Sequence, residues 1–579
     1  MTPSVRRALL GATVVVPTVA YLATASQRVL GGDDGELATL AVTGGAAHPP
    51  GYPLFTAYVH AMRWLPSTTP AHAASLANAL LGCAAAALLV RACLAWGAGP
   101  AATAITVTVW ALSPTTWSLA SQAEVFTLNA LFAAAILWLA SPDPPLSPSR
   151  RVAALALVGG LALANHYTIG ALAPVGLLAA VRALRASRRR GKVAIAAVLA
   201  LLLGLAPYAL LFSTAGLGSD PATWSWGDVH DGPTLLAYVR RDEYGDLRLA
   251  TMAHVGAHAM RVTRGLLGLP LLAVAALATK RVRSASLSKA APWLALGASV
   301  ALAGPGFALV FQKPLEGPGQ AVLERFDVLP MTLLAPACAR ALELVASRVL
   351  ARPAAAVLAV ATVTTLTVVL GLPAVRGRHR PTVELYVENA LLAAPADAVI
   401  LGSGDQRLGG FLYARYALGA RPDVVFVNPR MLFEPWYAER IERAVGVPLP
   451  RPRDRELDMV AYFAALLATG RPVMVCDLFS TTGTARFPSY PIGPLVRLLP
   501  RLEDVPGPER VLRDNEALAG RFEHEPWPPP GPDPWGDALL QDYARPWLAL
   551  ADQYERAGHP EQAAALRVRA ERTSRGQMP

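Results

Sequence analysis

Three carboxylates in four positions, Asp33, Asp34 and Glu36, stand in the stretch GGDDGELATLAVTGGAAHPPGYP at residues 31–53, between the first two apolar runs of the chain. Carboxylates that border a hydrocarbon layer are costly to desolvate and are rare there unless solvated, paired or functional. Such a cluster could act as a general base on an acceptor hydroxyl, or hold a divalent cation. The plain structural alternative is a solvated loop whose acids cap the following helix. His48 and Tyr52 follow in AHPPGYP, where Pro and Gly fix a bent backbone suited to a loop of defined shape.

Glu124 opens a later apolar run, after Ser113-Pro114 has interrupted the one before. It is either a second acid for a pair or N-terminal helix charge. His48 and His166 (in ANHYT) are either hydrogen-bonded structural residues or contacts to a phosphate or sugar, and Asn165 beside His166 in an apolar stretch favours function. Lys313, Glu324, Arg325 and Asp327 flank the penultimate run. Arg325 has the planar fork that suits a lipid phosphate; otherwise it pairs with Glu324 or anionic headgroups. No haem, iron–sulfur or zinc spacing is present, so no metal ligands are assigned. Cys83, Cys93 and Cys338 fall in or beside apolar runs as packing residues, and the chain does not depend on disulfides.

The elements that position these residues are mostly apolar. Of 579 residues, 53% are hydrophobic and 16% charged, against about 25% charged in a soluble domain. The chain therefore reads as an α-helical polytopic membrane protein with a soluble part. Apolar runs at 8–25, 73–95, 101–119, 125–140, 152–165, 167–182, 193–213, 264–279, 290–311, 327–346 and 353–373 predict about eleven spans. The run 152–182 also reads as one pair kinked around Asn165-His166. Arg6 and Arg7 place the N-terminus in the cytoplasm. The first run reads as an uncleaved span, although Ala23-Thr24-Ala25 resembles a leader cleavage site.

Alternating sides from there puts Arg91, Arg150 and Arg151, Arg188 to Arg190, Lys280, Arg281 and Arg283, and Arg348 and Arg352 inside, as the positive-inside rule requires. The net charge of +11 is thus mostly orienting charge, with membrane lipid as the partner and no nucleic-acid fold signature. The same alternation gathers the Asp33 loop, Glu124, Asn165-His166, the long loop 214–263 and residues 313–327 on the outer face.

After residue 373 the composition changes. Runs 398–402, 423–428 and 472–476 predict strands, and 406–418, 434–446 and 455–469 helices, giving a small parallel α/β layer. Gly402-Ser403-Gly404-Asp405-Gln406 sits at the end of a strand where open α/β sheets bind ligands, but is too short for a dinucleotide fingerprint. Residues 527–535 read as a Pro-rich linker and 547–572 as a helical hairpin, with Tyr554, Gly558 and Ala563 resembling one tetratricopeptide unit. The expected division is 1–373 transmembrane, 374–526 an extracytoplasmic α/β domain, and 527–579 linker and tail, in a multi-pass inner (cytoplasmic) membrane protein.

Asp33, Gly35, Glu36, His48, Pro49, Pro50, Gly51, Tyr52 and Pro53 match the opening loop of a membrane family long catalogued as a domain of unknown function, whose animal member is a transmembrane protein O-mannosyltransferase; Asp34 replaces the usual Ser. Ser113-Pro114, Trp117, Ala123-Glu124-Val125, Leu128-Asn129-Ala130, Asn165-His166, Gly404-Asp405, Arg421-Pro422-Asp423-Val424 and Val427-Asn428 also resemble members. The resemblance is strong over residues 8–180 and moderate over 395–440.

It implies a GT-C type glycosyltransferase with a polyprenyl-phosphate sugar donor, a protein or glycan acceptor, and a single inverting displacement. Asp33 would be the base, with Glu36 and Glu124 as further acids. Asp34, His48, Tyr52, Asn165, His166 and Arg325 would face the substrates, Arg325 with His166 stabilising the departing lipid phosphate. No cofactor is implied beyond the divalent cation that paired acids could hold. The competing readings are a transporter or flippase of lipid-linked glycans, and a non-catalytic envelope scaffold. A transporter should show internal repeats and mid-membrane polar residues, and neither stands out here.

Overall fold

The computed structural model describes residues 2–577 except 145, 243–251, 278–286, 312–314, 453–455 and 478–483; Lys280, Arg281, Arg283 and Lys313 lie outside the described residues. Among those described, seven helices are long and apolar enough to cross a membrane: Pro3–Ala23, Pro70–Ala95, Tyr167–Ala186, Arg190–Thr214, Ser288–Val310, Val328–Leu350 and Pro353–Ala393. An eighth arises if Pro114–Ala120 and Val125–Ala140, bent by 112° at their break, form one span.

Several expected runs are divided, each for a local reason. The run 101–119 splits into Pro100–Ala111 and Pro114–Ala120, because Pro114 has no N–H to continue the ladder and Ser113 caps the new helix through Thr116 N. The expected runs 152–165 and 167–182 separate at Asn165-His166, where the His166 side chain accepts from Thr168 N and a 3-10 turn, Tyr167–Leu172, leads into Ala173–Ala186. The run 264–279 yields the short helix Leu269–Leu277. Pro148–Leu163 and Arg190–Leu205 cross closely at Gly160 and Gly204. A Cβ on either glycine would meet backbone oxygen at 2.5 Å, so small residues set that crossing.

The last apolar helix, Pro353–Arg378, continues past Pro373, and Thr382–Ala393 follows it into the α/β domain. There β1 (Val399–Leu401) pairs in parallel with β2 (Val425–Val427) and β3 (Val473–Val475); a hairpin of β4 (Ser489–Ile492) and β5 (Leu495–Leu498) extends the sheet antiparallel, in the order β2-β1-β3-β5-β4. Strand side chains alternate between faces. Val399 and Leu401 join the core with Tyr437, Ile441 and Phe463 from Pro435–Val445 and Met459–Ala468. Ile400 and Met474 join Val383, Tyr386 and Phe411 on the other face. The tail hairpin forms from Leu540–Arg556 and Pro560–Ser574 around Trp547, Leu550 and Leu566.

Among the contacts that tie the domain to the preceding chain, two reach the acidic loop and the long loop. Gly35 in the acidic loop lies against the Gly409 backbone of Asp405–Leu412, where an added Cβ would stand 2.5 Å from Gly409 C. Buried Arg440 donates to the Gly218, Asp220 and Thr223 carbonyls of the long loop. The Pro-rich stretch also packs: Gly531 backs onto Gly377 of the last apolar helix, and Arg380 Nη1 donates to the Gly531 carbonyl at 3.2 Å.

Candidate active site

Asp33 precedes the helix Asp34–Thr43 and Glu124 precedes Val125–Ala140, yet neither side chain caps its helix. Both turn instead to one cation. Arg325 Nη1 donates to Asp33 Oδ2 at 2.7 Å and to Glu124 Oε1 at 2.8 Å. Arg325 ends the helix Gly317–Arg325, and its chain neighbour Glu324 pairs with Arg378 at 2.7 Å rather than with Arg325. Burial alone would raise the Asp33 carboxyl, but Arg325 and then His48 outweigh it and hold Asp33 below its usual value. Burial likewise works against the Arg325 charge, and Asp33, Glu124 and Asp405 reverse it, so Arg325 stays protonated.

The AHPPGYP turn folds back onto the same point. Glu36 Oε1 accepts from His48 N at 2.9 Å, and Glu36 Oε2 lies 2.6 Å from His48 Nδ1. His48 Nε2 stands 3.9 Å from Asp33 Oδ2 and 3.1 Å from the Tyr52 hydroxyl. Burial disfavours the imidazolium, but Glu36 and Asp33 push His48 up to about 9. Tyr52 takes a left-handed backbone (φ 44°), and its ring stacks on His166 at 5.5 Å. Burial and the neighbouring cations lower His166 to about 3, leaving a neutral ring. Its Nδ1 meets Thr168 Oγ1 at 2.8 Å.

Asp33, Glu36, His48, Tyr52, Glu124, His166 and Arg325 are thus brought together. Asp34 and Asn165 are turned into the frame. Asp34 accepts Leu30 N and Ala123 N, one on each oxygen at 2.7 Å, bracketing the acidic loop to the residue before Glu124. Burial raises Asp34 to about 7 despite those bonds. Asn165 Nδ2 donates to the Val125 carbonyl at 3.2 Å, just after Glu124. Among the described residues, Glu124 Oε2, Arg325 Nε and Asn165 Oδ1 are buried without a hydrogen-bond partner. Such atoms are rare in folded proteins and mark capacity for a ligand.

Arg325 stands where a cation shared by Asp33 and Glu124 would sit. No group of three or more His, Cys, Asp or Glu among the described residues could hold a metal. The donor set present therefore does not fit a divalent ion.

Beside the cluster opens an apolar groove of ≈ 380 Å³, lined by Phe126, Tyr167, Ala303, Gly306, Phe307 and Phe326 among others. Phe126 and Phe326 pack on His166 at 5.0 and 5.9 Å, so the groove ends at the polar cluster.

Three neighbours were not anticipated from the sequence. Arg241, after the helix Gly232–Arg240, donates to the Tyr167 hydroxyl at 2.7 Å beside His166. Trp226 of the long loop packs edge-on to His48 at 5.8 Å. Trp535 lies over Arg325, with 5.4 Å from guanidinium to ring centre. None borders an apolar run; only tertiary packing brings them in.

Residues 33–189 match the Protein O-mannosyl-transferase TMEM260 N-terminal domain. The chain is 30% identical over 481 residues to mouse (Mus musculus) Protein O-mannosyl-transferase TMEM260, covering 77% of this chain and 66% of that one. The chain belongs to the TMEM260 family. A Dictyostelium discoideum relative of the same name is 29% identical over 250 residues, 40% of this chain and 30% of its own. The matches therefore span about two thirds of the mouse protein's length and under a third of the amoeba protein's. In fold, the chain resembles ArnT from Cupriavidus metallidurans, solved bound to undecaprenyl phosphate, with a TM-score of 0.52, 15% identity, 86% of this chain and 100% of that one covered. The architecture is thus GT-C-like, in a multi-pass membrane protein.

Proposed function

We propose that this member of the family is a glycosyltransferase that moves a sugar, mannose by analogy with its relatives, from a polyprenyl phosphate to a protein hydroxyl on the outer face of the membrane. The observation that carries the reading is Asp33: a half-buried carboxylate held by Arg325 at 2.7 Å, beside an apolar groove that ends at His166. The solved neighbour's lipid phosphate and the relatives' printed activity support the donor and acceptor classes.

In this mechanism the prenyl chain lies in the groove and its phosphate reaches the Arg325 end. Arg325 and Arg241 supply positive charge there, and neutral His166 a ring nitrogen. Asp33 takes the acceptor proton as the hydroxyl oxygen bonds to the anomeric carbon. The bond from that carbon to the phosphate oxygen breaks with inversion, and the lipid phosphate leaves with the electron pair, stabilised by fixed positive charge. Glu36 and His48 hold the loop that carries Asp33. The basic loops between apolar runs support an inside N-terminus, and an eleven-span count would place the α/β domain outside.

The donor class is testable directly. Purified protein in lipid nanodiscs is expected to transfer label from polyprenyl-phosphate mannose to an acceptor peptide, and none from a nucleotide sugar. Transfer from the nucleotide sugar alone would overturn the reading.

A further inference from the structure

The stretch 525–537 has the composition of a spacer, but the fold bolts it down residue by residue. Arg380 Nε donates to Glu525 Oε2 at 2.6 Å, and Arg380 Nη1 to Asp537 Oδ1 at 2.7 Å. Asp537 Oδ2 accepts Asp533 N at 3.0 Å, and Asp533 Oδ1 accepts Trp535 N at 3.0 Å. Arg380 and Asp533 are buried, so the bonds from Arg380 to Glu525 and from Trp535 N to Asp533 are shielded from water and fix geometry firmly.

The result of this bracing is the position of one ring. Trp535 is 8% exposed and covers Gly31 and Gly32 at the head of the acidic loop. A Cβ on Gly31 would stand 2.0 Å from Trp535 Cβ. Gly32, at φ +73°, would bring a Cβ to 3.2 Å from both the ring and Arg325 Nη1. The absence of side chains at these two positions is what lets the ring reach Arg325. The ring centre of Phe126 also lies 5.8 Å from the guanidinium carbon, against 5.4 Å for Trp535. The guanidinium thus meets one aromatic ring from the apolar helices and one from the tail. Past Trp535 there remains a cavity of only ≈ 30 Å³, lined by Leu119, Gln122, Ala321, Glu324 and Arg378 among others.

We infer that Trp535 is a positioning residue of the active site: the tail segment packs its ring on Arg325, and so fixes the Nη1 that holds both Asp33 and Glu124. The inference rests on the glycosyltransferase reading for its kinetic consequence, and on geometry alone for the state of Arg325.

The test uses the full-length protein and two independent readouts. In the first, phenylglyoxal modification of Arg325 is followed by peptide mass spectrometry. Trp535→Ala is expected to speed it several-fold, with Trp535→Phe close to wild type. Trp547→Ala, which loosens the tail hairpin core elsewhere, is expected to leave it unchanged. In the second, Trp535→Ala is expected to lower kcat for transfer by about 10–100-fold, the scale of a misplacement near 1 Å, with the donor KM little changed and recovery in Trp535→Phe. Wild-type modification rates in Trp535→Ala, or equal acceleration in Trp547→Ala, would overturn the inference. A kcat loss shared by Trp535→Phe and matched by a lower melting temperature would overturn it too, since that pattern reports folding. If the wild-type protein transfers no sugar, the functional reading fails, and the Arg325 modification rates still decide the role of Trp535.

Discussion

One Arg325 nitrogen holds two carboxylates from segments about ninety residues apart. Arg325→Gln leaves Glu124 buried without its partner and Asp33 with only His48 beside it, and breaking a buried pair costs about 3–5 kcal/mol. The expected outcome is a lower melting temperature in detergent together with a transfer rate down by at least about 100-fold. His48 gives a prediction in pH. Its folded value of about 9 exceeds the unfolded value of about 6.5. Its stabilising contribution is therefore complete below about pH 6.5 and lost as pH rises through about 9. Melting temperatures between pH 6 and 10 should fall across that window in wild type, and the slope should flatten in Glu36→Gln.

At this scale the sequence was most legible where charge stood beside apolar runs. Asp33, Glu36, Glu124, His166 and Arg325 stand out for that reason, and they meet in space. The sequence could not separate Asp33 from Asp34, because adjacent acids look alike until their partners are seen. Asp34 meets two backbone amides and Asp33 meets a guanidinium.

Among elements, the decisive contact is between Asp34–Thr43 and Asp405–Leu412, which meet at Gly35 and Gly409. Gly35→Ala drives a Cβ to 2.5 Å from backbone that has little room to move, whereas Gly409→Ala meets its neighbours at 3.3 Å. Gly35→Ala is expected to lose most activity and to open the domain boundary to limited proteolysis, with Gly409→Ala much milder. Equal protease patterns in both would show that the helices do not depend on this contact. Helix breaks were legible at Ser113-Pro114 and Asn165-His166 because capping and proline chemistry is local. The three parallel strands and the helices following them were legible from short apolar runs. The hairpin of β4 and β5 was not, since Pro491 and Pro494 in and beside it argue against strand, and its pairing is supplied by β3. The helix Thr382–Ala393 was hidden because its buried polar residues mask an apolar face.

For the whole molecule, the α/β domain and tail are part of the site's enclosure. Gly409 presses on the acidic loop, Arg440 anchors the long loop whose Trp226 touches His48, and Trp535 covers Arg325. None of this was legible from composition, which marks residues 527–535 as a spacer, because proline-rich chain looks the same whether it is free or packed. We propose Asp33 as the base of a lipid-phosphate-sugar transferase. The most direct test is the initial rate of sugar transfer from polyprenyl-phosphate mannose in nanodiscs, for wild type, Asp33→Asn and Asp34→Asn, each corrected for folded protein. Asp33→Asn is expected to lose about 100-fold or more, while Asp34→Asn lowers the yield and melting temperature but keeps most of the rate per folded molecule. A wild-type rate in Asp33→Asn would contradict this assignment.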